Sequence, residues 1–263
     1  MRRIGVVAWV VWIEMLRRKD VYVLFILLGA LLLSLVSLNI FGLGSTSRYV
    51  LDVGLTMSWI FGWILAVYMT ARELPREESR GTIFPLLARP VRRADVVIGK
   101  WLGAWSVTLT AMLLFYGLVA GVNAGLGGTL DARAFAQGYL LHAVALGILC
   151  AVALLFSTRM NHDAASALSF VLTGAAFVVV PRVPELLVHQ KGAAGTALYA
   201  LYHLVPHVQL FDLRKRIVHE FGAAPASTAA VVVLYGLVWI ALLLLVAWLA
   251  YRRKRFSRTN LSA

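Results

Sequence analysis

The stretch VVVLYGLVWIALLLLVAWLAY, residues 231–251, decides the fold. It runs for 21 residues without a charged side chain, and a helix that crosses the hydrocarbon core of a bilayer needs about 20. Lipid offers no partner to a bare peptide group, so a single apolar run of this length has to be a helix. Arg252, Arg253, Lys254 and Arg255 follow at once and mark where the run meets water. Upstream, five more stretches have the same character: 21–41, 53–71, 101–122, 138–157 and 164–180, the last short for a full crossing. None contains Asp, Glu, Lys or Arg. The whole chain of 263 residues is 61% hydrophobic and 14% charged, against about 25% charged for an ordinary soluble domain. The expectation is an all-α polytopic membrane protein with six transmembrane helices.

Charge placement sets the orientation. Of 25 Lys and Arg residues, five precede residue 21, seven lie between 72 and 100, one is Arg159, and five lie in the tail from Arg252 on. Basic residues are retained on the cytoplasmic side, so both termini are expected in the cytoplasm. The net charge of +13 then reads as a topology signal and an attraction to anionic headgroups, not as a nucleic-acid footprint. Arg214, Lys215 and Arg216 run against this pattern, since they would lie at the outer surface. The lone Cys150 rules out an intrachain disulfide and a cysteine-rich zinc site, and reads as a small buried hydrophobe.

Residues 1–20 read MRRIGVVAWVVWIEMLRRKD. At about 100° per residue Arg3, Glu14, Arg17 and Arg18 share one stripe, with Ile4, Val6, Val11, Trp12, Ile13 and Leu16 over much of the rest. This is an amphipathic helix for the inner membrane interface. Residues 72–100, RELPREESRGTIFPLLARPVRRADVVIGK, form a cytoplasmic loop of unusual pattern. Arg72, Glu73, Arg76, Glu77, Glu78 and Arg80 make a mixed-sign patch that calls for water or a polar partner. Beyond Gly81, the run 82–87 exposes Ile83, Phe84, Leu86 and Leu87 on a short helix that Pro85 can open and Pro90 limits. A short apolar helix flanked by charge suits docking into a groove on another protein. Arg89, Arg92, Arg93 and Lys100 are expected to grip headgroups, with acidic groups on a partner as the alternative.

Gly99 and Gly103, and again Gly117, Gly121 and Gly125, recur every fourth residue, a spacing that lets helix backbones approach closely. Pairing within one chain and pairing between chains give the same pattern. The spans carry no ionisable residue of the kind that ion-driven transporters use. Asp163 sits at the edge of the fifth span, where a cap is expected. There is no GxxxxGK[ST] loop; the nearest fragment, Gly99, Lys100 and Trp101, lacks its first glycine and its hydroxyl. In the outer loop, residues 181–227, His203, His207, Asp212 and His219 invite a metal reading, but Pro206 breaks the helix between the first two. A membrane-embedded metal enzyme using these four residues, and a non-transporting membrane anchor, are the alternatives to a transport subunit.

The sequence Glu78, Ser79, Arg80, Gly81, Thr82, then Pro85–Leu86–Leu87–Ala88–Arg89–Pro90, Arg93 and Ile98–Gly99–Lys100–Trp101–Leu102–Gly103 resembles the ABC-2 type permeases, and within them the NosY-type branch. The resemblance implies six helices per subunit and two copies of the permease beneath two ATPase subunits. It also implies no catalysis in this chain, with ATP and Mg held by the partner ATPase. It implies that residues 1–20 form a connecting helix and that 21–252 form the transmembrane domain, followed by a basic tail, 253–263. Glu78, Gly81, Thr82, Phe84, Leu86 and Leu87 would contact the ATPase, with Arg159 and Asp163 as a second contact. The implied setting is the inner membrane of a bacterium or archaeon, where the subunit exports or flips a substrate. Support of periplasmic metal-centre assembly, with a periplasmic partner, is the NosY-like alternative.

Overall fold

A computed structural model describes residues 2–16, 20–38, 46–79, 92–189 and 192–254, and every regular element among them is helical. The elements in order are α1 (Arg2–Leu16), α2 (Asp20–Leu38), α3 (Thr46–Ala71), α4 (Glu73–Ser79), α5 (Arg93–Gly125), α6 (Ala132–Ser157) and α7 (His162–Val178). There follow α8 (Val183–His189), α9 (Ala193–Leu204), α10 (Arg214–Val218) and α11 (Ala226–Arg252), with single 3-10 turns at Val180–Arg182 and Val208–Phe211. The described residues of the six apolar stretches fall on helices, apart from the last two of 164–180, which lead into a 3-10 turn. Among the described residues five segments are long and apolar enough to cross a membrane: Ser47–Glu78, Arg93–Gly125, Ala132–Ser157, His162–Leu187 and Ala226–Arg252. The chain is therefore an all-α, multi-pass membrane protein. The remaining stretch forms α2, a helix of 19 residues whose Leu28 and Leu32 are buried.

The bundle is built around α6, which is buried on all sides from Leu141 to Leu154. Its sequence explains this position. Ala143, Ala145, Gly147, Cys150, Ala151 and Ala153 keep it thin, so neighbours on every side come close. A Cβ on Gly147 would stand 2.8 Å from Ile240 of α11 and 3.3 Å from the Trp105 ring nitrogen of α5. The indoles of Trp101 and Trp105 stack, with centroids 5.0 Å apart. They donate to the α6 carbonyls of Gly147 at 3.0 Å and Ala143 at 2.8 Å. Buried donors need acceptors, and these two bonds fix α5 against α6 in register.

The two glycine repeats separate cleanly. Gly99 and Gly103 seat α1: a Cβ on Gly99 would lie 2.7 Å from the Val7 Cβ, and one on Gly103 2.6 Å from the Val11 Cβ. Trp12 donates to the Ser106 hydroxyl at 2.7 Å on the same face. Close approach at Gly99 and Gly103 is thus within the chain. A Cβ on Gly117, Gly121 or Gly125 would meet nothing within 4 Å, and these three lie on the outer face of α5. α1 presents Val6, Trp9, Val10 and Ile13 outward.

Two expectations are corrected here. Lys100 does not reach headgroups, because α5 begins at Arg93 and places it two turns inside the helix, 1% exposed. A buried cation therefore does occur at the end of a span. The cap of α7 is Asn161, whose side chain accepts from Ala164 N–H at 3.0 Å; Asp163 lies in the first turn.

Candidate functional site

The ends of α3, α4, α5, α6 and α11 meet at one pole of the bundle. Pro75 causes the break between α3 and α4. It has no N–H for the Ala71 carbonyl, and its ring crowds that carbonyl. The helix turns at Arg72 and resumes with Arg76 N–H on the Arg72 carbonyl at 3.2 Å. A helix of seven residues is not stable alone; side chains hold α4 in place. Glu73 and Glu77, four apart and so on one face, clasp the Lys100 ammonium at 2.9 and 2.6 Å. Glu73 and Lys100 are fully buried. The described part of the mixed-sign patch, residues 72–78, is thus turned largely inward, and the polar partner of Glu73 and Glu77 belongs to the same chain; Arg80 lies outside the described residues.

The outer edge of α4 makes further links. Arg76 reaches Glu14 of α1 at 3.5 Å. Arg72 lies over the Tyr68 ring, 3.7 Å from its centroid, and donates to that residue's hydroxyl. Glu78 takes the Lys254 ammonium at 2.7 and 2.8 Å on its two oxygens, and the same ammonium donates to the Thr158 carbonyl at 3.0 Å. Arg93 caps the last turn of α11, donating to the carbonyls of Tyr251, Arg252 and Lys254 at 3.0, 2.8 and 2.9 Å. A cation at a helix C-terminus is favourable both for the dipole and for the orphan carbonyls. The root of the loop after α4 is therefore bonded to α1, α5, α11 and the turn between α6 and α7.

The residues singled out from sequence are distributed as follows. Glu78 belongs to this network. Gly81, Thr82, Phe84, Leu86 and Leu87, with Arg17 and Arg18, lie outside the described residues. Arg3 is in the first turn of α1 and Glu14 in its last. Arg159 and Asp163 are exposed at the turn between α6 and α7, Asp163 beside His162 at 3.0 Å. Sequence reading missed the roles of Lys100, Arg93 and Lys254. Glu73 and Glu77 on one face were the available signal for a cation between them; nothing local pointed to Arg93 or Lys254.

At the opposite pole the four residues of the metal reading go separate ways. The Tyr235 hydroxyl bonds His207 Nδ1 at 2.9 Å and accepts its backbone N–H at 3.0 Å. Burial pushes the His207 imidazole below the ordinary histidine range, and the neighbouring His203 adds to this. His203 Nδ1 bonds the Tyr199 carbonyl at 3.0 Å, while His219 is exposed beside Phe221. Asp212 grips Arg214 through two bonds, at 2.9 and 2.7 Å. Among the described residues no group of three His, Cys, Asp or Glu could hold a metal ion. Arg214 also donates to Thr56 at 3.1 Å and lies 5.4 Å from the Trp59 ring centroid. Trp59 in turn stacks on the buried His142, whose Nδ1 meets the Tyr116 hydroxyl at 3.2 Å. Burial opposes the guanidinium charge, but Asp212 outweighs it and holds the Arg214 pKa above its ordinary value. Of the three basic residues that run against the charge pattern, Arg214 is thus neutralised by a neighbour, Arg216 donates to the Gly222 and Phe221 carbonyls, and Lys215 is exposed.

Residues 32–256 match a family model described as ABC-2 family transporter protein. No curated protein matches the chain.

Proposed function

We propose, from the premise that the chain belongs to the ABC-2 family of transporter proteins, that it is the transmembrane permease subunit of an ATP-driven exporter. The family match carries this reading. In it α2 is the sixth crossing, both termini are cytoplasmic, and the pole that holds α4 faces a separate ATPase. Two permease copies and two ATPase subunits assemble, and the ATPase brings ATP and Mg.

Gly81, Thr82, Phe84, Leu86 and Leu87, following directly on α4, supply the ATPase contact; Glu78 roots it, and Arg159 and Asp163 supply the second. The reading draws support from the way α4 is tied. A push on the loop reaches α5 through Lys100, α11 and the end of α6 through Lys254, and α1 through Arg76. Packed helices move as units, so displacement at one loop becomes a shift of several spans.

The test is co-purification with an ATP-binding-cassette subunit encoded beside the chain, followed by ATPase assays in proteoliposomes. Wild type should retain the subunit and alter its ATPase rate. Leu86→Asp should abolish both while the permease still elutes as a folded membrane protein. Retention of the subunit by Leu86→Asp at the wild-type level refutes the assignment of this loop. A wild-type complex without any ATPase refutes the permease reading.

A further inference from the structure

Two basic side chains at the α4 pole are engaged internally, and they determine where four others stand. Arg93 is held by the last carbonyls of α11, and Lys254 by Glu78 and the Thr158 carbonyl. Arg92 precedes Arg93; Arg252 and Arg253 belong to the very turn that Arg93 caps; Arg159 follows Thr158. All four are exposed, and together they ring the junction of α5, α11 and the turn between α6 and α7. The acidic groups nearby are Glu77, taken by Lys100, Glu78, taken by Lys254, Asp163, 3.0 Å from the His162 ring, and Asp95 in the first turn of α5. Positive charge is in excess.

The same junction ends an apolar stripe. Val238, Leu242, Leu245 and Leu249 are exposed at alternating steps of four and three along α11, and the next step on that face is Arg252. The Arg252 guanidinium lies 5.2 Å from the Trp248 ring centroid, which favours a cation held at headgroup depth. Free phosphate or an acidic protein surface would use the arginines and leave the stripe idle. A ligand with an anionic head and apolar tails uses both.

We propose that this junction is a binding site for an anionic phospholipid, its phosphate among Arg92, Arg252 and Arg253 and an acyl chain along the α11 stripe, with Arg159 left to the contact assigned to it above. The proposal needs α11 to cross the membrane but does not need the ATPase reading. It therefore survives if no ATPase partner is found.

The test is native mass spectrometry of the full chain released from detergent with phosphatidylglycerol or phosphatidylcholine. Variants are Arg252→Gln, Arg253→Gln, their double, the charge-keeping Arg252→Lys/Arg253→Lys pair, Leu242→Ser/Leu245→Ser, and Arg48→Gln as a control on an exposed arginine at the start of α3. Wild type should retain phosphatidylglycerol over phosphatidylcholine. Each Arg→Gln should weaken retention about fivefold and the double about 25-fold, from the typical contribution of one basic residue at an anionic surface. The lysine pair and Arg48→Gln should stay close to wild type, and the serine pair should weaken retention without removing charge. Equal retention of both lipids, or a double Gln variant that binds as wild type, overturns the proposal. Displacement of the lipid by millimolar inorganic phosphate, or a serine pair that binds as wild type, assigns the arginines to a free anion and overturns it too. An arginine effect seen only on ATPase co-purification assigns them to a protein surface, with the same consequence.

Discussion

Lys100→Met tests the central structural claim most directly. The ammonium sits 2.9 Å from Glu73 and 2.6 Å from Glu77, with side-chain exposures of 2% for Lys100, 1% for Glu73 and 17% for Glu77. At an effective dielectric near 20 each contact is worth about 6 kcal/mol before desolvation. Desolvation cancels much of that, yet removing one member of a buried pair leaves a buried charge uncompensated and typically costs about 3–5 kcal/mol. Lys100→Met leaves two carboxylates one helical turn apart without this ammonium, so it belongs at the upper end. For a chain of this size 1 kcal/mol moves the unfolding midpoint by about 2–4 °C, so a loss near the upper end should lower it by about 10 °C or more. Glu73→Gln and Glu77→Gln each leave a one-to-one pair and should cost less, Glu73→Gln the more because it is the deeper. The double variant Lys100→Met/Glu73→Leu replaces a buried pair by apolar side chains and should recover much of the loss. The assay is thermal unfolding of purified protein in one detergent at one scan rate, since unfolding of this kind is often irreversible. A Lys100→Met midpoint within about 2 °C of wild type, or a double variant no better than Lys100→Met, would falsify the buried-pair account.

Three more outcomes follow from the packing and from the contacts of Arg214 and His207. Gly103→Val should cost about 1–3 kcal/mol by overpacking against Val11 and the Ala8 carbonyl and should make α1 more susceptible to limited proteolysis, whereas Gly121→Ala, with nothing within 4 Å, should leave the protein's unfolding midpoint the same or raise it slightly. Arg214→Lys should not rescue Arg214→Gln, because an ammonium cannot make the paired bonds to Asp212; faster amide exchange in residues 208–218 is the readout in both. Folding keeps His207 neutral below its ordinary pKa, so its contribution to stability is present above about pH 6.5 and is lost as pH falls through its lowered folded-state pKa. His207→Gln should flatten the acid limb of a stability-against-pH curve, and an unchanged limb would rule out this residue as its source.

The positions of the spans were legible because an uncharged run of about 20 residues has one stable answer in lipid. The site was legible only in outline. The pattern around Glu78 singled out this stretch of chain, where Glu78 does join a network of ion pairs. The inward turn of Glu73 and Glu77 depends on the break that Pro75 makes and on the early start of α5, which are separate facts about separate segments. Gly99 and Gly103 carry the same spacing as Gly117 and Gly121, and spacing alone cannot say which pair has a helix against it. Asp212 neutralises Arg214 from two residues away, yet a count of basic residues treats that arginine as free.

Sequence alone thus determined the solvent of this chain, the number of apolar runs and the helical form they take. These are properties of each segment facing lipid by itself. Tertiary structure decided that α6 is the centre, that α1 docks on Gly99 and Gly103, and that Lys100, Arg93 and Lys254 bind the α4 pole together. These depend on which surfaces meet, and a charge or a missing Cβ acquires its energy only from the atoms placed opposite it.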